Sequence, residues 1–409
     1  RISGGPQGDA VIVHELIHAL QDQHFDLFSL QKYVQGNSDR SAALSALVEG
    51  DATLGMFAQQ MAGSEEQQKL FIKFFQITTD LSKEFMAVNR NVPTFIQDSM
   101  FFNYSQGLEF NWRLKKAGGL NKINLAFRDL PASTEQILHP EKYLSSNRDE
   151  PWTIQLPSLQ KYFPQKNGWT KLSEDTMGEL GIQILLREYF AYRRLKKHLG
   201  AFWKPLSSNI ILRGLGRTAY KYLNANKIRE SAAGWGGDRY KVYYNPKTGK
   251  TALVWLTYWD TEKDSQEFFM AMKKVRQLGG KDFPASVYQQ GKKVLVLTNI
   301  PDMKEELVES LWRTAKIQTF DRSRFKKEFP ICQSIYRLRF EKNKTKRKAW
   351  EKKILGYGKA AIPFLIQALD GEKKKDFLAF ISQTLYKLTG KNLGANYKAW
   401  KKWQEDQKK

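Results

Sequence analysis

The sequence predicts a mainly α protein of the α+β class. It divides into a helical core over residues 1–233, a small α+β subdomain over 234–320 and a basic helical module over 321–409. Three observations predict it. Much of the first 233 residues spaces its apolar positions as helices do. Residues 240–258 instead read as two strands around Asn245-Pro-Lys-Thr-Gly249, the pattern of a hairpin. The C-terminal stretch returns to short helices, with 24 Lys and Arg against 9 Asp and Glu over 321–409.

The first helix carries Val13-His-Glu-Leu-Ile-His-Ala-Leu20, an H-E-x-x-H pattern. On a helix, His14 and His18 are one turn apart and share a side. Two imidazoles so placed can hold one Zn²⁺, with Glu15 beside the water that the ion activates. Val11, Ile12, Val13, Leu16, Ile17, Ala19 and Leu20 fill the other faces, which predicts a buried helix. Burial penalises three polar groups unless something compensates them. A zinc site does so for all three together, which favours it over a hydrogen-bonded histidine pair in a helix core.

Such a site needs a third protein ligand and an open fourth position. Two candidates compete. His24 completes the spacing His-Glu-x-x-His-x-x-Gln-x-x-His, the metzincin pattern with Gln21 in place of the glycine that turns the chain. If Gln21 stays helical, His24 lies about 120° off the face of His18. The other candidate is Glu49, in Ala-Leu-Val-Glu-Gly-Asp-Ala (46–52). It falls in a second predicted helix, Ser41 to Met61, introduced by Asn37-Ser-Asp39. A carboxylate facing the core there needs a partner, and Zn²⁺ is a suitable one. Gln21 tips the choice towards Glu49. Asp22 and Asp51 are placed to accept imidazole N–H bonds.

Ser64-Glu-Glu-Gln67 opens a third helix with a capping-box pattern. A fourth runs over 99–118 and ends at Gly118-Gly119. Residues 131–143 form a loop or short helix containing His139 and Tyr143. Glu174 to Leu199 reads as a long helix, acidic first and basic last, as its dipole favours. Further helical segments reach Ala233. Gly234-Trp-Gly-Gly-Asp-Arg-Tyr240 is expected to be a structural turn, with Asp238 and Arg239 as a potential ion pair. After the hairpin come a helix at 261–277, strands within 285–298 split at Gln290-Gly291, and a helix at 301–316. Residues 321–348 read as a solvated basic linker or helix.

The strings around the first motif carry a resemblance. His14-Glu-Leu-Ile-His-Ala-Leu-Gln-Asp-Gln-His-Phe-Asp-Leu27 followed by Ala46-Leu-Val-Glu-Gly-Asp-Ala52 is similar to a family of poorly characterised prokaryotic gluzincin-type (HExxH) zinc metallopeptidases. Pro131-Ala-Ser-Thr-Glu-Gln-Ile-Leu-His-Pro-Glu-Lys-Tyr143, Gly178-Glu-Leu-Gly181 and Gly234–Tyr240 resemble it too. The resemblance covers roughly residues 8–300. It implies a zincin-like helical core holding one Zn²⁺ per chain, with His14, His18 and Glu49 as ligands and Glu15 as general base, and it makes His139 and Tyr143 candidates to stabilise an oxyanion, a role also open to Arg239. It implies no particular substrate, because the family is mostly identified by motif. Its members place a small sheet before the motif helix, so the chain is expected to begin inside a longer product. Gly358–Leu369 and Asp376–Leu388 resemble the paired helices of a HEAT repeat, and Leu388–Trp403 the closing segment of such arrays. One or two repeats cannot bury a core alone, so they must pack on something else.

Composition sets outer limits. The 409 residues are 41% apolar and 13% aromatic, which fits a folded protein of two or three domains. No apolar run approaches the roughly twenty residues of a membrane span. The single Cys332 excludes an intrachain disulfide framework and is expected in the core. The net charge of +24 is concentrated in the C-terminal module. That module is expected to bind a protein or an anionic surface, without sequence-specific recognition of nucleic acid. The expected function is a zinc metallopeptidase acting on a peptide or protein, in an extracytoplasmic compartment. The alternatives are a metal-dependent hydrolase of a non-peptide amide, or a zincin-fold scaffold that works through the basic module.

Overall fold

A computed structural model describes residues 6–58, 60–90, 92–193, 226–280, 283–300 and 303–407. Helices dominate, joined by a small antiparallel sheet, so the mainly α, α+β class is observed. The chain forms two compact units. One comprises Arg1–Leu20 with Gly36–Phe320, the other Gln21–Gln35 with Asp321–Lys409. The structure thus divides the chain at Phe320 but adds residues 21–35 to the C-terminal unit and makes no division at 233.

In the larger unit, α1 (Pro6–Phe25) carries the H-E-x-x-H motif, and only its first part belongs here. Next comes α3 (Ser38–Met56), whose N-cap Asn37 accepts a hydrogen bond from the Arg40 amide. Helix α4 (Glu65–Arg90) opens with the predicted capping box: Ser64 and Gln67 exchange side-chain and backbone bonds. Helix α5 (Thr94–Ala126) does not end at Gly118-Gly119; it kinks there, at a positive φ on Gly119, and resumes. The core pair is α3 and α5, and they cross closely. A Cβ on Gly50 would lie 2.1 Å from the carbonyl carbon of Gly107, and one on Gly107 2.3 Å from the Ala46 oxygen. Asn111 fastens the crossing by donating to the Leu47 and Gly107 carbonyls at 3.1 and 2.9 Å.

Short helices α6 (Thr134–Leu138) and α7 (Pro140–Leu144) lead to strand β1 (Trp152–Gln155). Strand β2 (Thr170–Asp175) precedes α8 (Gly178–Arg187), which passes into a π-helical turn over Glu188–Arg193. The predicted helix from Glu174 therefore begins four residues late, because Glu174 and Asp175 pair with Lys241 and Tyr240 in the sheet. The rest of that predicted helix beyond 193, and helical segments expected over 194–225, lie outside the described residues. Strands β3 (Trp235–Asn245) and β4 (Lys250–Trp259) form the predicted hairpin, with Gly249 at positive φ, but β3 begins at Trp235, so residues 235–240 pair with β4 and are not the expected turn. Then follow α9 (Glu262–Gly279), β5 (Ala285–Gln290), β6 (Lys293–Thr298), α10 (Lys304–Thr314) and β7 (Lys316–Thr319). The sheet order is β2-β3-β4-β6-β5, and β1 pairs with β7 separately. Alternation along the strands builds two cores. Trp255 and Val296 face α9, whereas Val254, Leu256, Leu295 and Leu297 face the layer that holds Leu307 and Leu311.

The smaller unit contains α2 (Leu27–Val34), α11 (Ser323–Phe340), α12 (Lys344–Gly356), α13 (Ile362–Ala368), α14 (Lys375–Thr389) and α15 (Tyr397–Asp406). Residues 323–340 are not a solvated linker: Ile331, Cys332, Ile335 and Leu338 are buried in a core shared with Leu365, Phe377, Ile381 and Trp400. Burial also pushes the Cys332 thiol up to about 12, which keeps it inert. The cover that a short repeat needs comes from α2, whose Phe28 and Tyr33 rings pack edge-on against Tyr336 and Phe325. Among the described residues, no helix is long and apolar enough to cross a membrane.

Candidate metal centre

His14, His18 and Glu49 meet. The two imidazole Nε2 atoms lie 3.0 Å apart, and Glu49 Oε2 is 3.2 Å from that of His14 and 3.3 Å from that of His18. The rings stand edge to face, with centroids 4.6 Å apart. Helix α1 supplies both histidines from one side, as their spacing requires, and α3 supplies the carboxylate. Ile17 packs against Gly55 of α3, where a side chain would collide with it. The side chains of His14, His18 and Glu49 retain 11, 21 and 26% of their exposure, so solvent reaches the cluster. Burial pushes the Glu49 carboxyl up, but hydrogen bonding and charge from His18 and then His14 outweigh it and hold it below the ordinary range.

The three donor atoms fit a metal ion. Ligands about 2.0–2.2 Å from a tetrahedral Zn²⁺ stand about 3.3–3.6 Å from one another, close to the observed triangle. Two imidazoles and one carboxylate are a donor set that suits zinc. His14 Nδ1, on the far side of the same ring, is buried without a hydrogen-bond partner. The same triad is one of two clusters among the described residues able to hold a cation; the other, Glu135, Asp149 and Asp260, already surrounds the Lys142 ammonium.

His24 does not join this cluster. Helix α1 runs on through Phe25, so no turn occurs at Gln21, and the exposed His24 ring lies against Phe25. Asp22 accepts the Leu27 amide at 3.0 Å, closing the turn into α2. Asp51 is half-buried on α3. The expectation of a buried motif helix is overturned: Val11, Ile12, Val13, Leu16 and Leu20 are each at least 40% exposed. Of residues 11–20 only His14 is buried, with Ile17 and His18 half-buried. Glu15 is exposed beside the histidines.

Sequence reasoning missed Tyr104. It stands on α5 with its ring near parallel to that of His14, centroids 6.1 Å apart. Burial, then the charges of Glu49 and Glu15, push its phenol pKa up. No motif marks it. The one available signal is Gly107, one turn later, which permits the close crossing.

His139 and Tyr143 belong to a second constellation. His139 Nε2 lies 3.1 Å from Glu179 Oε1, and that bond raises the imidazole pKa against the opposing effect of burial. Tyr143 is buried on Phe110, and its hydroxyl donates to the Asp129 carbonyl at 2.8 Å, so its proton is committed. Arg239 pairs with Glu174, not with Asp238. Asp238 instead accepts from the amides of Met177 and Gly178 and from the indoles of Trp235 and Trp255. Asp39 accepts from the Thr134 amide, and a Cβ on Gly178 would lie 1.9 Å from Asp39 Oδ1. The strings at 131–143, 178–181 and 234–240 thus converge on a buried polar hub. It fixes α6, α8 and β3 to the start of α3.

The family model of a domain of unknown function, DUF8575, matches residues 167–302. That span holds the five-stranded sheet and α8, and it excludes all three residues of the triad. No curated protein matches the chain. No solved structure matches it either.

Proposed function

We propose that this protein is a zinc-dependent hydrolase that cleaves peptide bonds, with one Zn²⁺ held by His14, His18 and Glu49. The observation that carries the reading is the convergence of three metal-donor atoms at 3.0–3.3 Å, with the exposed Glu15 following His14 in the chain. When bound, the ion supplies Lewis acidity, which acidifies a water and polarises a carbonyl. Glu15 is exposed and unencumbered by helix packing; it takes the proton of the attacking water and returns it to the leaving amine. His14 and His18 present Nε2, which requires their remaining ring proton on Nδ1. The exposed apolar residues of α1 beside Glu15 suit a substrate with apolar side chains. The basic module at 321–409 supplies a contact to a protein or anionic surface, by its charge alone.

Elemental analysis tests this. Purified protein is expected to carry one zinc per chain, to lose it in Glu49→Ala and to keep it in His24→Ala. Glu15→Gln should keep the zinc and abolish cleavage of a peptide library, a loss of at least 10²-fold. A folded wild-type chain that takes up no zinc when resupplied would sink the proposal.

A further inference from the structure

We infer that Ile17 and Gly55 are positioning residues of the metal centre: the Ile17 side chain seats in a notch left by Gly55 and so sets how close α1, with both histidines, stands to Glu49 on α3. The inference rests on reading the triad as a zinc site. Among the apolar residues of 11–20, Ile17 alone is not exposed. It follows His14 by three residues and so lies on the same side of α1. The notch is close-fitting. A Cβ on Gly55 would lie 2.1 Å from Ile17 Cδ1 and 3.5 Å from its Cγ1. Gly55 sits inside α3, and its φ is not in the left-handed region that favours glycine. A glycine in a helix costs about 1 kcal/mol against alanine, so conformation does not call for it here; the space it leaves does.

The two histidines ride on α1 and the carboxylate on α3, so a bound ion must bridge two helices. Ligand atoms have to stand within about 0.2 Å of their coordination distances, which demands a fixed separation between those helices. Gly55 lies six residues beyond Glu49, roughly 9 Å along α3. Filling the notch there pushes α1 outward as a body. His14 and His18 keep their mutual spacing, because one helical turn fixes it, but both leave Glu49. Emptying the notch removes the contact that holds α1 in place. Either change weakens the three-ligand site without disturbing the histidine pair, and together they cancel. Ile17→Ala removes three carbons and Gly55→Val adds three, an exchange that conserves volume and is therefore the kind that packing tolerates best.

The test is zinc affinity, measured by competition with a chromophoric chelator on the full chain, for wild type, Ile17→Ala, Gly55→Val, the double variant and Ala19→Gln. Each of the two single variants is expected to raise the zinc Kd by at least about tenfold, the loss usual when a group that orients ligands is removed. The double variant should recover most of that loss, the coupling expected of two residues in contact. Ala19→Gln, exposed on the same helix, should leave the Kd unchanged. Circular dichroism of the metal-free chains should be the same for all five. An unaltered Kd in the single variants would overturn the inference while leaving the zinc site intact. A double variant that binds no better than the singles would overturn it too, since the fit between the two residues would then not set the site. If Gly55→Val does not fold, Ile17→Ala decides alone, and an unaltered Kd there overturns the inference. A wild-type chain that takes up no zinc would overturn both the inference and the zinc reading.

Discussion

Asp39 is the carboxylate that burial perturbs most legibly. It is fully enclosed, and burial outweighs the two Thr134 bonds to raise its pKa to about 7, with Asp238 and Glu179 adding repulsion. The consequence for stability follows from linkage. Below about pH 4 both folded and unfolded chains hold the proton, and Asp39 costs nothing. As the pH rises towards 7 the unfolded chain releases it and the folded chain does not, so stability falls; above 7 the full penalty is present. Asp39→Asn should therefore flatten the stability profile between pH 4 and 7, gaining up to ~4 kcal/mol at pH 8 relative to pH 4. Urea unfolding across that range checks this, and parallel profiles for the two proteins would refute it. His139 contributes in the same direction, because its pairing with Glu179 is lost as pH rises through its raised pKa. At this scale the sequence was most readable where chemistry imposes spacing. His14, Glu15 and His18 were legible from one helical turn, and Glu49 from a carboxylate amid apolar neighbours. Tyr104 was not, because a tyrosine on an amphipathic helix looks like any core aromatic until a partner helix is in place.

The elements were legible wherever their own periodicity determined them. Helices α3 and α4 and strand β4 begin near their predicted caps and turn, since Asn37, Ser64 and Gly249 act locally. Strand β2 was missed because Thr170–Asp175 is mostly exposed and polar, and only pairing with β3 makes it a strand. The exposure of α1 was missed for the converse reason: an apolar sequence demands cover, yet cover depends on what packs beside it. The crossing of α3 and α5 yields the prediction at this scale. An added methyl at Gly50 meets backbone atoms of Gly107 at 2.1 and 2.2 Å, and neither can rotate away. Gly50→Ala should thus separate the helices and destabilise the unit by about 1–3 kcal/mol. It should also lower zinc affinity, because Gly50 directly follows Glu49 on the helix that moves. Gly249→Ala, with nothing within 4 Å, serves as the comparison: it strains a turn but leaves the zinc Kd unchanged. Equal zinc affinities for Gly50→Ala and wild type would show that the crossing does not set the site.

Over the whole molecule, sequence order and compact units do not coincide. Residues 21–35, the end of the motif helix together with α2, complete a core otherwise made by residues 321–409. The last ninety residues look from their sequence like repeat helices short of a partner, and α2 is that partner. Leu30 and Val34 are buried, and Tyr33 is ringed by Phe325, Phe329 and Phe364. Gln367 adds a bond to the Lys32 carbonyl, and Arg337 pairs with Asp26 at 3.1 Å. A chain ending at Phe320 would leave the α2 side chains bare. Each large apolar group so exposed forfeits about 1.5–3 kcal/mol. That chain should bind a hydrophobic dye strongly and self-associate, although it retains His14, His18, Tyr104 and Glu49. Replacing Phe28, Leu30 and Tyr33 with serine in the shortened chain should abolish the dye binding and return it to a monomer that still takes up one zinc. Were the unmodified shortened chain monomeric and dark to the dye, residues 21–35 would have to bury their apolar face elsewhere, and the C-terminal helices would need another source of cover.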